Sequence, residues 1–149
     1  MKDILVRGKR KDNGEWVEGR LFAEDVIVPC QQNFILEANC IYECDKPIIG
    51  YYVDEKTVGQ FTGLTDKNGK KIFEGDIISA ITLDTGKEQT AVVCFGNFID
   101  ENNGDEYIGF FIEFDGIKTT ITQLAMEECK NRIEIIGNIH DNPELLKVE

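Results

Sequence analysis

The stretch GQFTGLTDKNGKKIFEGDII, residues 59–78, combines turn chemistry with the start of a strand, an arrangement typical of small β-barrels. Residues 66–69, DKNG, are polar and end in Asn-Gly, the pair that most readily takes positive φ in a tight hairpin turn. Residues 74–76, EGD, then lead into an apolar, β-branched run. These features predict an architecture and point to no particular reaction.

Working outward, apolar and polar residues alternate with a period of two along much of the chain, whereas sustained helical periodicity is missing. The pattern predicts three hairpins and a closing strand: residues 4–10 with 15–22 around a turn at 11–14, residues 76–83 with 88–95 around 84–87, residues 107–114 with 117–121 around Asp115-Gly116, and residues 133–139. Residues 48–53 are strongly β-prone. Residues 19–46 predict only broken strands or irregular chain, residues 100–105 an exposed, mobile loop, and residues 124–130 a helix.

The predicted fold class is therefore mainly β. Residues 66–149 are expected to form an SH3-like small β-barrel domain, because five short strands at this spacing suit a strongly bent barrel. Residues 1–65 are expected to form an N-terminal β hairpin and an irregular β extension. A short C-terminal helix is predicted to begin at Pro143, with Asn142 as its N-cap and Glu144 in its first turn. Leu145 and Leu146 are then expected to fold back onto the barrel.

The charge of the chain is strongly polarised. The first twenty residues hold six Lys or Arg and four acids, which gives them a net charge of +2. Because the whole chain has a net charge of −12, the other residues together carry −14. An acidic body repels nucleic-acid phosphate and anionic membranes, so nucleic acid is an unlikely partner unless a basic edge at Arg7, Lys9, Arg10 and Lys11 makes the contact. Residues 72–149 hold 16 acids and five bases, which leaves open an acidic DNA-mimic inhibitor.

The cysteines and the single histidine predict neither a metal site nor a disulfide framework. The five cysteines are odd in number and include no Cys-x-x-Cys pair, and His140 is far in sequence from Cys40 and Cys44. The N-terminus shows no apolar signal segment, and no apolar run approaches the ~20 residues of a membrane span. We expect a cytoplasmic protein with reduced cysteines and without a cofactor, a metal or a membrane association.

The polar candidates for catalysis have simpler local explanations. Asp66 suits a turn, Asp76 follows Gly75 and is expected to accept backbone N–H bonds, and Asp141 precedes a helix N-terminus. Glu74 is expected to be solvated, and His140 lies at the end of a strand. General acid–base or nucleophilic catalysis needs groups that converge in a cleft, so we expect no catalytic, cofactor-binding or metal-binding residues and a protein that is not an enzyme.

Three stretches of the sequence resemble the YopX family of prophage and phage proteins. Residues 58–77, VGQFTGLTDKNGKKIFEGDI, are similar to its central signature, and residues 133–146, IEIIGNIHDNPELL, to its closing one. Arg7 with residues 16–19, WVEG, gives a weaker match near the start. The resemblance implies a bacteriophage-derived, mainly β protein and supplies no catalytic residues. The family varies in its middle region, so residues 26–46 gain nothing from it.

The leading functional hypothesis is a bacteriophage or prophage accessory protein that binds a host or phage protein or assembles with itself. Alternation places one member of each aromatic pair, Tyr51 with Tyr52 and Phe110 with Phe111, on an outward face or in an interface, the alternative being that both faces of the sheets are covered within the monomer. A homo-oligomer is expected because the apolar strands at residues 48–53 and 76–83 show little edge protection. The alternatives are a nucleic-acid-associated protein that uses the basic N-terminal hairpin and the acidic DNA mimic.

Overall fold

The computed structural model describes residues 4–23, 26–29, 40–43, 46–81, 86–121 and 132–146. The fold is mostly β, as predicted, with two large antiparallel sheets, one of which is curled into a half-barrel. This curvature is consistent with a β-barrel-like fold, whereas the narrower SH3-like topology stays a prediction. The chain divides into two compact units, residues 1–61 and 62–149. The predicted helix at residues 124–130 lies outside the described residues.

The first unit is built on the predicted N-terminal hairpin. Its strands are β1 (Leu5–Lys9), β2 (Trp16–Ala23), β3 (Val26–Pro29), β4 (Cys40–Glu43), β5 (Lys46–Ile49), β6 (Tyr51–Tyr52) and the start of β7 (Gly59–Thr65). Within this unit, the strands of the larger sheet lie in the order β6-β3-β2-β1-β7, and β4 pairs with β5 in a separate two-stranded sheet. Val6, Ile27 and Val53 form the core. Gly8 lies against this core, because a Cβ at its position would come within 3.1 Å of Ile27 and Val53.

The second unit contains the end of β7 and the strands predicted for the C-terminal half. These strands are β8 (Lys71–Phe73), β9 (Asp76–Ile81), β10 (Glu88–Ile99), β11 (Glu106–Phe114), β12 (Ile117–Thr120) and β13 (Ile133–Asn138). Five of them form an antiparallel sheet in the order β12-β11-β10-β9-β13. The core consists of buried aliphatic side chains from these strands: Ile72, Ile78, Ala91, Val93, Ile112 and Ile133.

A turn with a buried aspartate covers one edge of this sheet, along β13. The Asp66 side chain accepts hydrogen bonds from the backbone N–H groups of Asn68 and Lys70 within its own turn, both at 2.9 Å. Its second oxygen accepts the N–H of Ile135 in β13 at 3.1 Å. Lys67 N–H donates to the carbonyl of Ile133 at 2.9 Å. The turn predicted from residues 66–69 therefore also satisfies the outer backbone groups of an edge strand.

A second turn of the same kind covers the opposite edge, along β12. The Asp100 carboxylate accepts the N–H of Asn102 at 2.8 Å and the N–H of Thr120 in β12 at 3.3 Å. Glu101 N–H donates to the carbonyl of Lys118 at 3.1 Å. Asp66 and Asp100 thus repeat one arrangement, in which the carboxylate takes one strand N–H and the next residue donates to the strand carbonyl two positions earlier. We call these two turns the edge caps.

Three sequence-based predictions differ from this arrangement. The loop at residues 100–105 is not uniformly exposed, because Asp100 is only 4% exposed and hydrogen bonds tie the loop to β12. The strand at residues 76–83 is not an unprotected edge, since β9 lies between β10 and β13. The strand predicted at residues 48–53 is interrupted at Gly50 into β5 and β6. Local composition predicted which segments are β-prone, but it could not identify the neighbours of each strand.

The C-terminal signature ends in a hydrogen-bonded turn and a short helix. A 3₁₀ helix, Pro143–Leu146, begins at the predicted residue. The Asn142 side chain accepts the N–H of Asn138 at 3.3 Å. It occupies the space beside Gly137, where a Cβ would lie 2.6 Å from Asn142 Oδ1. The prediction that Leu145 and Leu146 fold back onto the barrel is wrong, because both remain exposed.

We predict that Asp66→Asn lowers the free energy of unfolding at pH 7 by about 1–3 kcal/mol, because an amide cannot accept all three N–H groups. Burial alone would raise the pKa of Asp66, but the N–H groups of Ile135, Lys70 and Asn68 outweigh it and hold this pKa below the ordinary value of 3.8. A carboxylate whose pKa is lowered by folding stabilises the fold at pH values above its unfolded-state pKa. This stabilisation is lost as the pH falls through its folded-state pKa.

Urea denaturation of the natural protein and of Asp66→Asn between pH 7 and pH 3 tests this prediction. The stability difference should be largest near neutral pH and should narrow below pH 3.8. Asp105→Asn, which changes an exposed carboxylate, is the matched control and should differ little from the natural protein at any pH. A difference for Asp66→Asn that does not change with pH would contradict the role assigned to the carboxylate charge.

Candidate functional site

The hairpin formed by β10 and β11 extends beyond the rest of its sheet. These strands pair from Val92↔Glu113 to Ile99↔Glu106. The pairing of β9 with β10 ends at Val92, and that of β12 with β11 ends at Phe111. Residues 95–110 therefore form a two-stranded segment with a connecting loop, which we call the arm. Because its two strands pair with neither β9 nor β12, the arm is the clearest candidate for a functional surface.

Two glycines facing each other produce a bend at the base of the arm. Gly96 and Gly109 are register partners with φ of 150° and 153°, values that residues with a side chain rarely adopt. The buried side of the hairpin changes at this pair. Before it, Val93 faces the core; after it, Phe98 on the opposite side is 5% exposed. The bend thus reverses which face of the ribbon is covered.

Aromatic contacts fix the inner face of the arm. The Phe98 ring stacks on Phe111 with centroids 4.7 Å apart and lies 5.6 Å from the Tyr107 ring. Such aromatic pairs contribute about 0.5–1.5 kcal/mol beyond the area that they bury. At the tip of the arm, the edge cap around Asp100 binds β12. The arm is therefore held both along its inner face and at its tip.

The outer face of the arm carries an apolar surface. Register places Phe95 opposite Phe110, and their rings meet edge to face with centroids 4.9 Å apart. On this face Phe95 is 47% exposed, and further along it Ile108 is 80% exposed and Ile99 is 58% exposed. We call Phe95, Ile99, Ile108 and Phe110 the outer patch. Contiguous apolar side chains on a surface mark interaction sites more often than single ones do.

The aspartates that were considered for catalysis form hydrogen bonds within the fold. Asp66 forms an edge cap, and the buried Asp76 accepts the N–H of Phe73 at 2.8 Å. Asp141 accepts a hydrogen bond from the Asn138 side chain at 3.1 Å. These hydrogen bonds agree with the local roles predicted for the aspartates.

The two remaining candidates lie near the turn that connects β8 and β9. Glu74, predicted to be solvated, is half-buried, and His140 lies beside Gly75. The backbone N–H of His140 donates to the Asn138 side chain at 3.0 Å. Ile139 N–H donates to the carbonyl of Gly75, so this region joins the Glu74-Gly75 turn to the end of β13.

Cys94 and the possible metal ligands were considered for nucleophilic chemistry and for metal binding. Burial raises the pKa of the Cys94 thiol to about 11, with further contributions from the nearby Glu113 and Glu74 carboxylates. The thiol is therefore protonated at neutral pH and is a weak nucleophile. Within the described ranges, no three His, Cys, Asp or Glu side chains come together as metal ligands.

The basic N-terminal hairpin uses its cations in contacts within its own unit. Arg10 forms an ion pair with Asp12 at 2.6 Å and lies 4.2 Å from the centroid of the Tyr51 ring. The hydrogen bond from Arg10 lowers the pKa of Asp12. The Arg7 guanidinium lies 4.6 Å from the centroid of the Trp16 ring. Part of the positive charge predicted for a nucleic-acid contact is thus balanced within the hairpin.

Comparison with known proteins identifies the family. The model of the family described as YopX protein matches residues 6–147. The chain belongs to the YopX family. It is also similar to a solved structure, that of protein EF1440 from Enterococcus faecalis, with 25% sequence identity and a TM-score of 0.53 over 98% of this chain and 100% of that one. No curated protein sequence matches the chain.

The two strongest YopX-like stretches meet in the structure. Asp66 and Lys67 of the central stretch bind the Ile135 N–H and the Ile133 carbonyl of the closing one. Gly75 of the central stretch also accepts the Ile139 N–H of the closing one, at 2.9 Å. The sequence features that identify the YopX family therefore correspond to the edge cap of β13 and to the turn beside it.

We predict that Gly109→Ala destabilises this YopX family member by about 1–3 kcal/mol, because φ near 150° is strained for a residue with a Cβ. No heavy atom that could clash lies within 4 Å of the Cβ position, so the effect isolates backbone strain. Asn97→Ala, on the exposed outer face, is the control and should change stability by less than about 0.5 kcal/mol. Equal midpoints of urea denaturation for Gly109→Ala and the natural protein would show that the bend needs no glycine.

Proposed function

We propose that this YopX family member is a non-enzymatic bacteriophage or prophage accessory protein that binds a protein partner through the arm. The exposed outer patch on a segment held along its inner face and at its tip is the observation that supports this proposal. Ile108, at 80% exposure, lies on the same face as Phe95, Ile99 and Phe110. Covering a side chain of this size contributes about 1.5–3 kcal/mol.

The way the arm is held favours binding. Because Phe98 stacks on Phe111 and the cap at Asp100 binds β12, the outer patch is presented on an ordered backbone. A partner that binds such a surface orders few additional residues, and less binding free energy is lost to conformational entropy. The arm combines this order with side chains that remain exposed, which is the combination expected for an interaction surface.

The remaining parts of the proposal concern chemistry and location. The aspartates considered for catalysis are engaged in hydrogen bonds that stabilise turns, which supports a role without catalysis. Within the described parts of the chain, no helix is long and apolar enough to cross a membrane. A cytoplasmic location is part of the proposal and rests on the resemblance of the sequence to the YopX family of phage and prophage proteins.

Self-association remains part of the proposal, although the edge caps weaken the argument that unprotected strand edges require it. Both edges of the five-stranded sheet are bound by the protein's own turns, at Asp66 and Asp100. At the edge strand β6, the Tyr52 carbonyl likewise accepts the Lys11 N–H at 2.9 Å, so the contact available there is the Tyr52 side chain, which is 52% exposed. A dimer formed through β6 would use residues different from those of the outer patch, so the two kinds of association can be tested separately.

The nucleic-acid alternative has less support than protein binding. Arg10, one of the four cations expected to contact phosphate, is paired with Asp12. The net charge of −12 opposes long-range attraction of a phosphate backbone. The acidic DNA mimic would need a regular array of carboxylates on one surface. Asp66, Asp76 and Asp100 are buried and hydrogen-bonded, which removes three acids from any such array.

The proposal predicts position-specific cross-linking through the arm. A photoreactive phenylalanine analogue at Ile108, introduced into the chain expressed in lysogenic cells, should give one discrete cross-linked protein on illumination. The same analogue at Ile81, 46% exposed near the end of β9, is the matched control and should give none. Phe95→Ser should weaken the cross-link made from position 108, because it removes a neighbouring side chain of the same patch.

Light scattering on the purified protein at micromolar concentration then distinguishes the two kinds of partner. A monomeric mass together with the cross-link indicates another protein, and a cross-link between identical chains indicates a homo-oligomer. Equal labelling from positions 108 and 81, or no cross-link from position 108, would contradict the proposed role of the arm.

A further inference from the structure

We propose that the surface that docks on the arm is cationic as well as apolar: a protein segment in which hydrophobic side chains are flanked by lysine or arginine. This inference rests on the proposed function and adds the chemistry of the partner. Its basis is the distribution of charge along the arm.

The arm carries only negative charge. Residues 95–110 contain four acids, Asp100, Glu101, Asp105 and Glu106, and neither lysine nor arginine. The Asp100 carboxylate is buried in the edge cap, but the other three acids are exposed. Glu106 is the register partner of Ile99, which places it on the same face as the outer patch. An exposed apolar surface is thus bordered at the tip of the arm by carboxylates.

The nearest cation along the sequence on the C-terminal side is associated with the inner face. Lys118 Nζ lies 5.7 Å from the centroid of the Phe111 ring, and Phe111 stacks on Phe98 of the inner face. On the N-terminal side, the nearest cation is Lys87, before the start of β10. The negative charge at the tip is therefore not balanced by a cation within the arm itself.

This combination distinguishes between classes of partner. Complementary charge speeds the encounter and selects the partner, whereas burial of apolar surface supplies most of the affinity. Nucleic acid and anionic lipid carry the same sign of charge as the arm. Two copies that met with their arms tip to tip would bring Glu101, Asp105 and Glu106 of each copy together, and like charges across an interface are unfavourable. A basic, apolar protein segment satisfies both features of the surface.

Three labelled model peptides of equal length test the inference on the full chain by fluorescence anisotropy. One alternates leucine and lysine, the second alternates leucine and glutamate, and the third alternates glycine and lysine. Only the leucine–lysine peptide should bind well, because it alone supplies both complementary charge and apolar contact. Equal binding of the leucine–lysine and leucine–glutamate peptides would overturn the inference, as would equal binding of the two lysine peptides.

Variants locate the binding on the arm. Ile108→Ser should lower the affinity for the leucine–lysine peptide by about tenfold or more, whereas Ile81→Ser should leave this affinity unchanged. Ile99→Ser, at the next most exposed position, provides a second test of the patch and should act in the same direction. Circular dichroism of each variant checks that the β fold is retained. Equal weakening by Ile108→Ser and Ile81→Ser would overturn the inference.

A matched pair of charge variants separates local from overall charge. The double variant Glu101→Gln/Glu106→Gln should lower the affinity for the leucine–lysine peptide by about threefold or more, in line with the contributions of exposed ion pairs. The control Glu55→Gln/Glu144→Gln removes the same charge from two exposed glutamates outside the arm and should have a smaller effect. Equal effects of the two double variants would show that the peptide responds only to net charge, which would overturn the inference.

Failure of the inference about a cationic partner can be distinguished from failure of the proposed protein binding by the arm. A cross-link from position 108 without preference for the leucine–lysine peptide would retain protein binding by the arm and reject its cationic partner. Absence of both the cross-link and the effect of Ile108→Ser would reject both proposals.

Discussion

Two buried aspartates, one at each edge of the five-stranded sheet, are the interaction on which the second unit depends. Asp66 binds the N–H of Ile135 in β13, and Asp100 binds the N–H of Thr120 in β12. Each carboxylate also closes its own turn, so one side chain satisfies donors in two segments far apart in sequence. Outer backbone groups of the edge strands that would otherwise face water or another chain are paired within the protein, which limits uncontrolled edge pairing.

The caps also determine which surface remains available. For the loop around Asp100 to reach β12, the hairpin must bend, and Gly96 with Gly109 provides the backbone conformation. The bend buries Phe98 and leaves Ile108 on the opposite face. The edge cap and the outer patch are therefore two consequences of the same hairpin geometry. This link explains why apolar side chains lie exposed on a segment whose tip is firmly hydrogen-bonded.

Much of the fold could be predicted from local sequence, because turn residues and alternation act over a few positions. The turn at residues 66–69, the N-terminal hairpin and the helix start at Pro143 are confirmed. The burial of Asp100 was missed, since a polar loop and a capping turn have the same composition until the strand that they bind is known. The candidate site was only half predicted: one of Phe110 and Phe111 was expected to face outward, but the reversal at Gly96 depends on cross-strand register, which alternation alone does not define.

Amide hydrogen exchange at Thr120 and Ile135 tests the central claim most directly, because these N–H groups lie on the outer sides of the two edge strands and bind the carboxylates of Asp100 and Asp66. If the caps close the sheet, both amides should be protected to the level of the central strands and exchange only with opening free energies near that of global unfolding. Exchange of either amide at the rate of a solvent-exposed backbone N–H would contradict the account.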